Sequence, residues 1–339
     1  MQIETSLNRL DYIDIAKGFG ILLVVLGHLG ILQSYIYMFH MPMFFFISGF
    51  LFKKKTHDRE FIFNKTIQLL IPYFVFLLII YSIQEYDHFR NVPLSFNQFT
   101  LSVLRFLLGG QWLSSYTTVF WFITTLFFSQ IVLNYLIGVL NTRKVIVVMV
   151  AFLILAYLNA AYFPALRFPW DINVVLLATP ICYSGFLFKE TKFSYLTVAF
   201  SIFCSFLGIL LVKLKIDNFF DMKNVIYGIP GVTFLISIGC TLFILLVGKF
   251  CSKFSIISRS FIAIGKSSIV IMYLHQTIQI LLHKYLTDNL TIIFISTILL
   301  SYCFYLLFRR FIFTRILFLG SKKDFDKQMI NYKFNLNRL

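Results

Sequence analysis

Along most of this chain, apolar residues run for membrane-spanning lengths and give way only to short polar connections. A helix needs about 20 apolar residues to cross the hydrocarbon core. Windows of that order mark ten stretches, at 13–32, 36–52, 66–83, 117–140, 145–161, 172–188, 193–212, 228–247, 267–286 and 291–308. The pattern predicts an all-α, polytopic membrane helix bundle of about ten transmembrane helices. The longest connection, 84–116, contains Pro93, an amphipathic stretch at 99–108 and then Gly109-Gly110. It predicts a helix that lies in the interface or re-enters the bundle.

Composition sharpens the class. Of the 339 residues, 59% are hydrophobic and 13% charged, against roughly 45–50% and 25% in soluble domains. That excludes a water-soluble domain and makes the lipid bilayer the solvent. Thirty lysines and arginines against 14 acidic residues give a net charge of +16, which in a soluble chain would point to nucleic acid. Their positions change that reading. Twenty-two of the thirty fall on alternate connections or the C-terminal segment, seven fall on the intervening connections, and Lys17 alone lies within a span. Under the positive-inside rule the richer side is cytoplasmic. Both termini are therefore expected in the cytoplasm, in a multi-pass protein of the cell membrane (plasma or inner) with no nucleic-acid partner. Residues 1–320 read as the transmembrane domain and 321–339 as a basic cytoplasmic tail. The five cysteines are scattered without CxxC or metal-ligand spacing, so they read as reduced packing residues.

Candidate chemistry concentrates in the first two stretches. Lys17 sits in hydrocarbon, where a cation costs about 2.5–3.5 kcal/mol on insertion scales. Asp14, three residues earlier on the same helix face, can pair with it; snorkelling to the headgroups is the other way to relieve that cost. His28 follows Lys17 by eleven residues, which returns a helix to within about 20° and places the two on one face about 16 Å apart. A neutral imidazole is tolerated at this depth and still offers a base near physiological pH, although a lone histidine is often a hydrogen-bonded core residue. In the second stretch, Phe39-His40-Met41-Pro42 brings His40 to the layer of His28, and the pair suggests a polar cavity. No cysteine or carboxylate at ligand spacing accompanies them, so no metal is expected.

Asp14-x-x-Lys17-Gly18 through Gly27-His28, followed by Phe39-His40-Met41-Pro42-Met43 through Ser48-Gly49-Phe50, resembles the acyltransferase-3 family of polytopic membrane enzymes, nearest its fucose O-acetylase-related branch. Leu69-Leu70-Ile71-Pro72-Tyr73, Phe120-Trp121-Phe122, and Ile264-Gly265-Lys266-Ser267-Ser268 with Tyr273-Leu274-His275 extend the likeness across nearly the whole chain. The resemblance implies transfer of an acyl group, usually acetyl from acetyl-CoA, to a hydroxyl of a cell-surface glycan or its lipid-linked precursor. It makes His28 the general base or acyl relay, with Lys17 and Asp14 as its catalytic companions. Lys17 stands where the family usually has Arg, which keeps the charge and loses the bidentate fork. The resemblance also implies that Lys65, Arg59 and Lys53 hold the anionic end of CoA, although positive-inside topology explains those cations equally well. Gln68 stands where a further Arg is common. His40, Ser48, Trp121 and His275 are the implied lining of the substrate cavity, and no permanently bound cofactor is implied. The rival class is a glycan flippase or transporter, whose path charged and histidine residues would also line.

Overall fold

The structure, a computed structural model, describes residues 2–90, 95–191 and 193–336, with side chains from 11–90, 95–191 and 193–330. Pro93, Lys192 and Arg338 lie outside the described residues, as do the side chains of Arg9 and Lys333. The chain is helical almost throughout. It begins with α1 (Gln2–His28), α2 (Gln33–Tyr37), α3 (His40–Phe50), α4 (Asp58–Lys65) and α5 (Ile71–Phe89). Then come α6 (Phe96–Leu108), α7 (Trp121–Val139), α8 (Thr142–Tyr162), α9 (Val175–Phe188) and α10 (Tyr195–Lys213). A small hairpin, β1 (Phe220–Asp221) paired antiparallel with β2 (Ile226–Tyr227), leads to α11 (Val232–Cys251) and α12 (Ser255–Lys266). The last elements are α13 (Ser268–Tyr285), α14 (Leu290–Arg310), α15 (Ile312–Leu319) and α16 (Lys322–Leu336).

Among the described residues, seven helical segments are long and apolar enough to cross a membrane: Asp58–Phe89, Ser115–Val139, Thr142–Tyr162, Pro169–Phe188, Tyr195–Lys213, Val232–Cys251 and Leu290–Arg310. The pair α12 and α13, bent by 72° about Ser267, makes an eighth if taken as one span. The protein is thus an all-α, multi-pass membrane bundle, and two of the ten expected stretches differ in form. α1 is 27 residues long but carries Asp14 and Lys17 in its apolar body. The stretch at 36–52 is not one helix. It breaks between α2 and α3, and α3 has 11 residues, about 16 Å of rise against a core of roughly 30 Å. Pro42, in the first turn of α3, fits a helix that starts there. Every residue of α3 except Ser48 is buried, so it is an internal helix sheathed by the others.

Glycines set the tightest helix contacts. A Cβ on Gly49 of α3 would run into the Cys182 carbonyl of α9, and one on Gly185 of α9 would run into the Phe46 carbonyl of α3. The same reciprocity joins α1 to α12, where Gly18 faces the Phe261 carbonyl and Gly265 faces that of Asp14. Small residues at a crossing let two backbones meet directly, the main source of helix association where lipid is as apolar as leucine. This fixes α1 and α3, which carry the histidines, against the rest of the bundle. α4 and α5 form one continuous helix through a π-helical turn at Thr66–Leu70. Pro72 follows directly and cannot donate to the Gln68 carbonyl, which instead faces Gly320.

The 84–116 connection packs back along α5. The Tyr81 hydroxyl donates to the Ser102 carbonyl, the Ser102 hydroxyl donates to Glu85, and Phe106 meets the Tyr81 ring edge-on. A Cβ at Gly109 would lie against the Tyr73 hydroxyl. α6 therefore runs antiparallel beside α5, capped by Ser95 and Gln98 in a reciprocal pair of hydrogen bonds.

Candidate active site

α1 ends at His28, and the chain turns through Leu29–Leu32 into α2 and α3, which returns His40 to the same end of the bundle. His28, His40, Tyr37, Met41, Trp121 and Met272 line a cavity of about 180 Å³. The hairpin covers it, contributing Phe220, Asp221, Met222, Lys223 and Asn224. Phe219 stacks on Tyr37 at 4.8 Å between ring centroids, and Tyr37 lies 4.6 Å from the His40 ring. His275 of α13 approaches from behind, its ring 5.0 Å from that of His28.

Two of the three imidazoles have their tautomers set by helix geometry. Nδ1 of His40 lies 3.1 Å from the Ile36 carbonyl and Nδ1 of His275 lies 2.9 Å from that of Ile271. A carbonyl oxygen only accepts, so Nδ1 carries the proton and Nε2 keeps its lone pair in the neutral ring. Nε2 of His275 is fully buried, and among the described residues it has no hydrogen-bond partner. His28 and His40 both line the cavity, and His28, half-buried where the other two are buried, is the most exposed of the trio.

The sequence did not single out Lys223. Its ammonium is pulled into the wall, donating at 2.6 Å to both the Leu113 carbonyl and the Thr118 hydroxyl. Its own carbonyl accepts from Gln111 Nε2 at 2.5 Å, and Gln111 N donates to Asp171 Oδ1 at 2.8 Å. Burial pulls the ammonium pKa down to about 8, with Asp171 and Asp221 opposing and Arg167 adding to the fall. In the sequence Lys223 looks like any other loop cation; only the Asp221–Asn224 turn, closed by two hydrogen bonds from Asn224 to Asp221, hints at a fixed position.

A second cavity, about 490 Å³, lies farther along α3 and α7. Its lining includes Ser48, Lys53, Lys55, Lys65, Gln130 and Lys322. Met41 and Ser48 are seven residues apart on α3, about 10 Å of rise, and Trp121 and Gln130 are nine apart on α7, about 13 Å. Phe44, Phe45 and Phe122 pack between them, with Phe45 and Phe122 at 4.9 Å and Phe44 and Phe122 at 6.2 Å.

Most of the expected lining therefore meets, with exceptions that follow from helix rise. His28, His40 and Trp121 share the first cavity, and His275 touches it through His28. Ser48 faces the second instead, where it accepts a 2.5 Å hydrogen bond from Gln130. Lys53 and Lys65 line the second cavity, while Arg59 is exposed and lines neither. Lys17 and Asp14 form the expected ion pair at 2.6 Å, partly exposed. They line neither of these two cavities; eleven residues of helix put Lys17 about 16 Å from His28 along α1. Among the described residues, no three His, Cys, Asp or Glu side chains converge as metal ligands.

The acyltransferase domain family matches the chain over residues 10–308, from the start of the Asp14–His28 segment almost to the end of α14. The chain belongs to the acyltransferase-3 family. It is also 34% identical over 124 residues to the nodulation protein NolL of Sinorhizobium fredii, a match covering 31% of this chain and 33% of that protein. The chain thus spans about a third of the length of the curated relative it matches. No solved structure matches it. The family match contains His28, His40, His275 and Lys223, and every lining residue of the two cavities except Lys322.

Proposed function

We propose that the protein is an O-acyltransferase of the cell membrane that moves an acetyl group from acetyl-CoA to a hydroxyl of a cell-surface glycan or its lipid-linked precursor. One observation carries this reading: within an acyltransferase-3 domain, His28 lines a polar cavity and the ring of the buried His275 lies 5.0 Å behind it. A sugar hydroxyl is a weak nucleophile, so a positioned base must remove its proton as it attacks the thioester. His28 is that base. The buried His275 ring packs against the His28 imidazole at 5.0 Å and restrains its orientation, so His275 is a positioning residue.

The second cavity suits the donor. Lys53, Lys55, Lys65 and Lys322 offer point charges for the phosphates of CoA, on the side that the positive-inside rule makes cytoplasmic, where acyl-CoA is made. The pantetheine arm then extends between Ser48 and Met41 toward His28, past the phenylalanines that separate the cavities. Asp14 and Lys17 neutralise each other on the α1 face next to α12 and support the helix rather than the chemistry.

The test is release of CoA from acetyl-CoA by the purified, reconstituted protein. Release that depends on added polysaccharide acceptor, with acetyl ester appearing on the acceptor by mass spectrometry, is expected. Absence of release, with glycan moving across the vesicle instead, would favour the transporter reading.

A further inference from the structure

Lys223 is an unusual lysine for a surface hairpin. It borders the His28 cavity, yet its ammonium is drawn inward and fixed by two acceptors from the Leu113–Thr118 segment, which also leads into Trp121 of the cavity wall. Gln111 clamps the hairpin backbone at the same residue. A lysine serving only solubility would extend into water. This one has its position set from two sides, and it lines the same cavity as His28.

Resting on the assignment of His28 as base, we propose that Lys223 is a further catalytic residue, its ammonium stabilising the oxyanion that forms on the thioester carbonyl during acyl transfer. In that step the acceptor oxygen bonds to the carbonyl carbon while its proton passes to His28, and the carbonyl π electrons move onto oxygen beside Lys223. Collapse of the tetrahedral intermediate re-forms the carbonyl and breaks the C–S bond, and the departing thiolate takes the proton back from His28. An ammonium can donate three hydrogen bonds, of which Leu113 and Thr118 receive two. A charge held in place before the reaction costs no reorganisation when the oxyanion appears.

Among the described residues, the charged and titratable groups around Lys223 are Asp221 on the hairpin, Asp171 and Arg167 from the segment before α9, and, lining the same cavity, His28 of α1, Tyr37 of α2 and His40 of α3. With its pKa near 8, the ammonium is present below that pH and lost above it. Oxyanion stabilisation should therefore fade as the pH rises through about 8.

The experiment uses the full-length protein in lipid vesicles, with acetyl-CoA and acceptor varied separately. Lys223→Met should lower kcat by about 10²–10³, with both KM values within a few-fold of wild type. Lys223→Arg should retain part of kcat and lose the alkaline fall, because a guanidinium stays charged. Wild-type kcat in Lys223→Met, a defect confined to acceptor KM, or an unchanged alkaline limb in Lys223→Arg would overturn the proposal. If Lys223→Met fails to fold, Lys223→Arg decides through that limb. His28→Ala separates the two assignments: full activity there removes the base, whereas an inactive His28→Ala beside a fully active Lys223→Met removes only the oxyanion role.

Discussion

His28 and His275 face each other with ring centroids 5.0 Å apart and planes tilted by 55°. The Nδ1–H of His275 is committed to the Ile271 carbonyl, so its remaining ring nitrogen, Nε2, can only accept in the neutral ring. His275→Ala should lower kcat by about 10–100-fold with acetyl-CoA KM little changed, whereas His275→Gln, whose amide oxygen also accepts, should recover part of the loss. A role limited to packing would instead give equal losses in both variants, tracking thermal stability rather than kcat.

The two sets of cations make a separable prediction. Lys65→Ala and Lys53→Ala should each raise acetyl-CoA KM about tenfold, the equivalent of roughly one charge-assisted hydrogen bond, with kcat nearly unchanged. Arg59→Ala should stay within about twofold, since Arg59 lines neither cavity and an exposed cation contributes little. Initial-rate titrations with acetyl-CoA distinguish these outcomes.

Much of this arrangement is local and was legible in the sequence. Apolar runs gave the helices, the three-residue spacing gave the Asp14–Lys17 pair, and the short connection after α1 placed His40 beside His28. What could not be read depends on contacts between distant segments or on translation along a helix. Ser48 is seven residues from Met41, enough rise to move it to the other cavity. The hairpin carrying Lys223 follows α10 in sequence but closes over α1 and α3, and no periodicity records that. The 72° bend about Ser267 likewise follows from α12 packing on α1 rather than from a helix breaker such as proline.

That packing is itself testable. Gly265→Ala would push a methyl group into the Asp14 backbone, a fixed obstacle, and overpacking of this kind costs about 1–3 kcal/mol. A lower thermal midpoint and lower yield in membranes are expected. Gly138→Ala, whose added carbon would meet only Lys54 at an ordinary 3.9 Å, should leave both unchanged.

At the start of α16, Arg315 grips Asp324 through two hydrogen bonds of 2.7 and 2.9 Å and the Ser321 hydroxyl adds a third. The Arg315 guanidinium holds the Asp324 carboxyl down at about 2, below the roughly 3.9 of a free aspartate. The stabilisation is therefore complete above about pH 4 and is lost as the pH falls from there toward 2. Cleavage near residues 321–330 by an acid-active protease should separate wild type from Asp324→Asn at pH 5 and should no longer separate them near pH 2.

The most direct measurement is transfer of labelled acetyl from acetyl-CoA to polysaccharide by His28→Ala and wild-type protein, matched for folding by size-exclusion profile. Loss of the base should cut transfer by about 10²–10⁴ while donor binding persists. Undiminished transfer by His28→Ala would contradict the assignment of this cavity as the reaction centre.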